Sequence, residues 1–164
     1  NSFLMQFPNY IATLPKPIKM FLFAFLVALS VGYFTGLNFV RQTESATPQG
    51  IIENYNGNED VPEAKTMKFK KGKREMLTII HTHILSISFI FFMLGVLVWG
   101  TSQSVKLKTF LTVEPFVSVL LTFGGIYMLW LGYSFFSYVV VFSGILMTLS
   151  YVLGVLVVLK DIFK

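Results

Sequence analysis

Residues 115–159 read PFVSVLLTFGGIYMLWLGYSFFSYVVVFSGILMTLSYVLGVLVVL, 45 positions without one Asp, Glu, Lys or Arg. A membrane crossing needs about 20 apolar residues. The run is too long for one pass and suits two with a tight turn, for which Gly132, Tyr133 and Ser134 supply the chemistry. Working outward, residues 76–105 are uncharged apart from His81 and His83, and residues 20–40 again hold no charge. In lipid every backbone polar group must be paired internally, and these runs do not alternate as barrel strands do, so helices are the expected form.

The reading is an all-α integral membrane protein, a four-transmembrane-helix bundle with one polar loop between the first and second helices. An N-terminal segment (1–18) leads to a first span at 19–39, followed by the polar loop at 40–75 and a second span at 76–100. A short loop (101–108), a third span (109–131), a turn (132–134), a fourth span (135–159) and a C-terminus (160–164) complete the chain. The first span reads as an uncleaved anchor, because its apolar run exceeds the about 7–15 residues of a signal-peptide core and no A-x-A site follows.

Composition agrees. Of 164 residues, 54% are hydrophobic and only 13% charged, against about 25% charged in soluble domains. The 18 Phe exclude a disordered chain. With no Cys there are no disulfides, thiolate zinc sites, iron–sulfur clusters or cysteine nucleophiles. No carboxylate is read inside any span, which argues against an autonomous pump or proton-coupled antiporter. Ser143 and Gly144 lie deep in the fourth span with no nearby acid, a poor setting for an intramembrane protease. The chain is read as lacking catalytic residues.

The net charge of +5 is a membrane-surface feature. Residues 41–75 hold six of the eight acidic and seven of the thirteen basic residues, divided into an acidic, turn-rich half and a basic half, KTMKFKKGKRE, that abuts the second span. Those cations suit headgroup level, where each is worth about 1 kcal/mol against anionic lipid. Nothing alternates bases with aromatics as a nucleic-acid groove would. The expected partners are therefore membrane lipid and other membrane subunits or further copies of this chain, and no nucleic acid. The positive-inside count is six against seven and does not set orientation. Lys16 and Lys19 just ahead of the first span favour an inside N-terminus, which makes the 40–75 loop periplasmic.

His81 and His83 are the chain's two histidines, in EMLTIIHTHILSISFIFFMLG. Two residues along a helix turn the chain by about 200°, so the imidazoles diverge and do not share one metal. Either suits the axial position of a haem b or a transition metal, and each also suits an interfacial residue bonded to backbone, Thr or water. Met128, near the end of the third span, is the candidate second axial ligand and is equally ordinary core filler. Glu53 and Glu59 are candidate co-ligands folding back from the loop, though Asn54, Asn56, Gly57 and Asn58 around them read first as a solvated turn. Aromatics at this face, among them Tyr127, Trp130 and Tyr133, read as a membrane-interface belt. Gly32 and Gly36 form a G-x-x-x-G, and Gly124, Gly125, Gly144 and Gly154 suit close helix packing.

A G-x-x-E-x-Y-x-G-x-E segment (Gly50, Glu53, Tyr55, Gly57, Glu59), a basic stretch and then H-x-H at the start of a span resemble a family of small four-helix bacterial inner-membrane proteins. Pro115 and the GILM at Gly144–Met147 are similar too, and the likeness covers most of residues 47–159. The resemblance implies a bacterial inner membrane and brings no activity with it. Some such proteins stand near respiratory or cytochrome-rich systems, which favours a haem. Two functions follow. One is a non-catalytic membrane subunit holding or shielding a haem or metal through His81 or His83. The other is a structural or assembly subunit with no cofactor.

Overall fold

The computed structural model describes residues 9–61 and 66–164; Glu63 and Lys65 of the polar segment lie outside them. After a short 3-10 turn at Ile11–Thr13, five α-helices follow: α1 (Lys16–Gln42), α2 (Pro48–Asn56), α3 (Lys73–Trp99), α4 (Val105–Trp130) and α5 (Phe136–Ile162). Four of them, α1, α3, α4 and α5, are long and apolar enough to cross a membrane. No strand occurs among the described residues. The all-helical class with four membrane-crossing helices is as expected. The fifth helix, α2, lies inside the polar segment and was not foreseen.

α3, α4 and α5 form the packed core. Among the buried positions of α4, Lys108, Leu111, Pro115, Ser118, Thr122, Gly125 and Leu129 follow one another in alternating three- and four-residue steps, with Val119, Phe123 and Ile126 widening the stripe. Val140, Ser143, Met147, Ser150 and Gly154 continue that pattern on α5. Such spacing belongs to left-handed, coiled-coil-like packing. Lipid tails are as apolar as Leu, so helices in a membrane associate through close fit and hydrogen bonds, and small residues permit the fit. One glycine serves each of the three interfaces. Cβ atoms added at Gly95, Gly125 and Gly154 would meet Thr112 Cγ2 at 3.3 Å, Val140 Cγ2 at 2.9 Å and Leu94 Cδ2 at 3.0 Å.

α1 is peripheral. Leu26 is its one buried residue among those described. Its attachment to α5 is made by aromatics and hydroxyls: Tyr33 stacks on Tyr151 at 3.8 Å between centroids, Ser30 and Tyr151 share a hydrogen bond of 3.2 Å, and Tyr33 donates to Thr148 at 3.3 Å. The expected tight packing through G-x-x-x-G does not occur within the chain, for a Cβ at Gly32 or Gly36 would meet nothing within 4 Å. The same holds for Gly124 and Gly144.

Charged groups tie down the end of the bundle opposite the polar segment. Lys108 is buried and donates from Nζ to the Trp99 carbonyl at 3.0 Å, completing the C-terminus of α3 where a cation also meets the negative end of the helix dipole. Asp161, fully buried, accepts from the Ser102 amide, from Ser102 Oγ at 2.8 Å and from Lys164 Nζ at 2.7 Å. The short α3–α4 loop is thus pinned to both α3 and α5.

The polar segment folds onto the other end. Thr47 caps α2 by accepting from the Gly50 amide at 3.1 Å. Asn56 Nδ2 donates to the Leu129 carbonyl at 2.8 Å, reaching the last turn of α4. Trp130 Nε1 returns a bond of 2.8 Å to the Lys71 carbonyl, and Lys70 Nζ lies 5.4 Å over the indole. The backbone leaves α2 through Gly57 at φ +87°, where a Cβ would also stand 2.9 Å from the Lys68 carbonyl, so glycine is required twice over.

The packing predicts a contrast between adjacent glycines. Gly125→Leu should cost about 1–3 kcal/mol by forcing α4 from α5. Gly124→Leu, facing open space, should stay within about 0.5 kcal/mol of the parent. Unfolding in mixed micelles, followed by circular dichroism, measures both.

Candidate functional site

Two places bring chemistry-bearing side chains together. The first is the start of α3. His81 and His83, two residues apart, are both exposed and leave the helix on different sides. His83 Nδ1 lies 2.7 Å from the Ile79 carbonyl one turn back. A carbonyl only accepts, so Nδ1 carries the proton in this bond and Nε2 holds the free lone pair. The ring packs on Phe123 of α4, centroids 5.2 Å apart, which fixes its plane. His81 makes no such bond. It closes a shallow groove of about 600 Å³ with Lys73, Arg74, Leu77 and Thr78.

The remaining candidates stand elsewhere. Met128 is half-buried in the last turn of α4, and no hydrogen bond or ion pair among the described residues joins Glu53 or Glu59 to an imidazole. Glu53 accepts from Gln49 Nε2 at 3.0 Å within α2, and Glu59 is exposed beyond it. Among the described residues no group of three or more His, Cys, Asp or Glu stands close enough to hold a metal ion.

The second place lies between α4 and α5, within two of the helices apolar enough to cross a membrane, and corrects the sequence reading. Glu114 sits in α4 six residues beyond Lys108, about 9 Å further along the helix axis. Its carboxylate accepts from Ser118 Oγ on its own helix and from Ser150 Oγ on α5. Ser118 and Ser150 are both buried. One turn on, Thr122 and Ser143 share a hydrogen bond of 2.7 Å between the same two helices. The expectation that no carboxylate lies inside a span is therefore wrong. The span read at 109–131 already contains Glu114, which was passed over because it bounds the 45-residue uncharged run. The helix begins at Val105, ahead of it, because Ser104 caps the α4 N-terminus by accepting from the Leu107 amide at 3.4 Å. The spacing Glu114–Ser118–Thr122, one residue per turn on one face, was the available signal.

Chemically, Glu114 joins two helices through its two oxygens. A carboxylate has about four acceptor positions, so two remain. Among the described residues no run of side-chain hydrogen bonds joins the Glu114 cluster to Asp161. Ser150 and Asp161 are eleven residues apart on α5, about 16 Å, with Gly154 and Val158 on the buried face between them.

A bundle of this kind, with apolar helices, a folded polar cap and a carboxylate closing an inter-helix seam, defines a helical integral membrane protein. The chain belongs to a family defined by a transmembrane helical domain, whose sequence model matches residues 45–164. That range takes in α2 to α5 and leaves α1 outside. No curated protein and no solved structure matches the chain.

The seam predicts non-additive energetics. Ser118→Ala and Ser150→Ala should each cost about 1 kcal/mol or less. The double substitution should cost more than their sum, because the carboxylate then loses both donors. In a Glu114→Leu background both serine substitutions should become nearly neutral. Detergent unfolding of the six variants measures the coupling.

Proposed function

We propose that the chain is a small non-catalytic subunit of a bacterial inner-membrane complex, with its 40–75 segment on the periplasmic side, and that its work is structural. The observation that supports this is the use of its interior polar groups. Glu114, Ser118, Ser150, Thr122 and Ser143 bond to one another across α4 and α5. They hold helices together rather than line a route for an ion. Meanwhile α1 leaves its Gly32–Gly36 face open. A G-x-x-x-G face in lipid suits the close approach of another membrane helix, from a partner subunit or a second copy. The reading is tested by Gly32→Leu and Gly36→Leu. Native mass of the detergent-extracted assembly should fall for these variants while the helical content and melting of the chain stay unchanged. An unchanged assembly counts against the scaffold.

A second reading is favoured by His83. Metal-bound histidines commonly donate their other ring N–H to a backbone carbonyl or carboxylate, as His83 does to Ile79. That bond leaves Nε2 of the exposed ring unpartnered, suited to a haem b or transition metal shared with a partner chain that supplies the opposite ligand. On this reading the subunit holds or shields a cofactor in an electron-transfer complex. Spectra of the intact complex distinguish the two histidines. His83→Ala should lose the Soret band or the bound metal, and His81→Ala should largely keep them. If neither substitution alters spectrum or metal content, the subunit is scaffold alone.

A further inference from the structure

The groove at the start of α3 has its own chemistry. Lys73 and Arg74 occupy the first turn, exposed, with no carboxylate partner among the described residues. The nearest acid in sequence, Glu75, is engaged by Lys71 at 2.7 Å. Below the two cations come Leu77, Thr78 and His81, which line the groove of about 600 Å³ with them. The Thr78 hydroxyl is turned back onto the Arg74 carbonyl at 2.9 Å, so a methyl and an unbonded imidazole are what the groove offers next. Further down the same flank the exposed residues are Leu85, Phe89 and Phe92. From Arg74 to Phe92 is 18 residues, about 27 Å of helix, of which the apolar part covers the depth of one leaflet.

We propose that this flank of α3 is a binding site for one anionic phospholipid. Lys73 and Arg74 take the headgroup phosphate, Arg74 as a two-pronged donor. His81 donates a hydrogen bond to the phosphate or glycerol ester oxygens one to two turns deeper. The acyl chains run along Leu85, Phe89 and Phe92. Two features select a lipid over a free anion. The cations sit where the apolar part of α3 begins, which is headgroup level. The groove is also continuous with an exposed apolar track rather than closed by protein. Charge complementarity selects an anionic headgroup over a zwitterionic one. At the other end of the bundle Lys108 is spent on the Trp99 carbonyl and Lys164 on Asp161.

The test is native mass spectrometry of the full chain titrated with phosphatidylglycerol or phosphatidylcholine in detergent. The parent should retain one phosphatidylglycerol in clear preference to phosphatidylcholine. Lys73→Gln with Arg74→Gln should weaken that adduct about 30-fold, from the loss of two headgroup-level cations. His81→Leu should weaken it several-fold. Lys106→Gln with Lys160→Gln, at the opposite end, should leave it within about twofold. Soluble glycerol phosphate should not compete. Circular dichroism confirms that each variant keeps its helices. The proposal is overturned if the parent shows no headgroup preference, if the Lys73/Arg74 variant keeps it, or if the Lys106/Lys160 variant loses as much. It is also overturned if glycerol phosphate displaces the adduct, which would make the groove a site for a free anion.

Discussion

Helices dissolved in lipid gain nothing from hiding apolar surface against one another, so the fold depends on how closely backbones approach. Here each pair of core helices meets over one glycine: Gly95 beneath Thr112, Gly125 beneath Val140 and Gly154 beneath Leu94. A side chain at any of these would push two helices apart and loosen the third pair as well, because the interfaces share α4 and α5. The remaining structure follows from that approach. Only where α4 and α5 lie this near can Ser150 reach Glu114 and Thr122 reach Ser143.

The Glu114 cluster then becomes intelligible. A charged or polar group at membrane depth costs several kcal/mol without a partner. Two hydroxyls from two helices remove much of that cost, and they make helix separation expensive because it would strand the carboxylate. Carbon packing between Leu and Val surfaces tolerates sliding, whereas a carboxylate held from both sides allows one register. Lys108 and Asp161 do the same work at the bundle end. Each fixes one terminus of the α3–α4 loop through a buried charge with named acceptors and donors.

Much of this was legible in the sequence and some was not, for physical reasons. The three charge-free runs implied four crossings because bilayer thickness converts directly into residue number. The polar segment was harder. Asn54, Asn56, Gly57 and Asn58 signalled turns, but that Asn56 would bond Leu129 and Trp130 would bond Lys71 depends on where α2 lands, which no local pattern encodes. The G-x-x-E-x-Y-x-G-x-E segment reads in the structure as a folding device. A Cβ at Gly50 would collide with the Glu44 carbonyl, Gly57 supplies the positive φ, and the half-buried Tyr55 accepts from the Lys71 amide through its carbonyl at 3.1 Å. Burial pushes the Tyr55 phenol above its ordinary range, so it stays an uncharged anchor beneath the cap. Glu114 falls inside the span read at 109–131 and was passed over because it bounds the uncharged run; the helical periodicity shared with Ser118 and Thr122 is what shows it turned inward.

The boundary of the family match at residue 45 coincides with a physical division. Downstream of it lie three crossing helices with a glycine at each seam, pinned at one end by Lys108 and Asp161 and covered at the other by α2. From upstream the buried Ile11 reaches them too, its amide donating to the Gly100 carbonyl at 3.2 Å. Upstream lies α1, held to α5 by the stacked Tyr33–Tyr151 pair and two hydroxyl bonds, with a groove of about 560 Å³ between the two helices, lined by Phe23, Ser30 and Asn38 among others. A helix so lightly attached contributes little to the stability of the core it borders. What it does contribute is surface: an outward glycine pair, exposed phenylalanines at Phe21, Phe23, Phe34 and Phe39, and a second flank on which another membrane helix can lie. The core accounts for how the chain folds, and α1 is where the proposed scaffold would make its contacts.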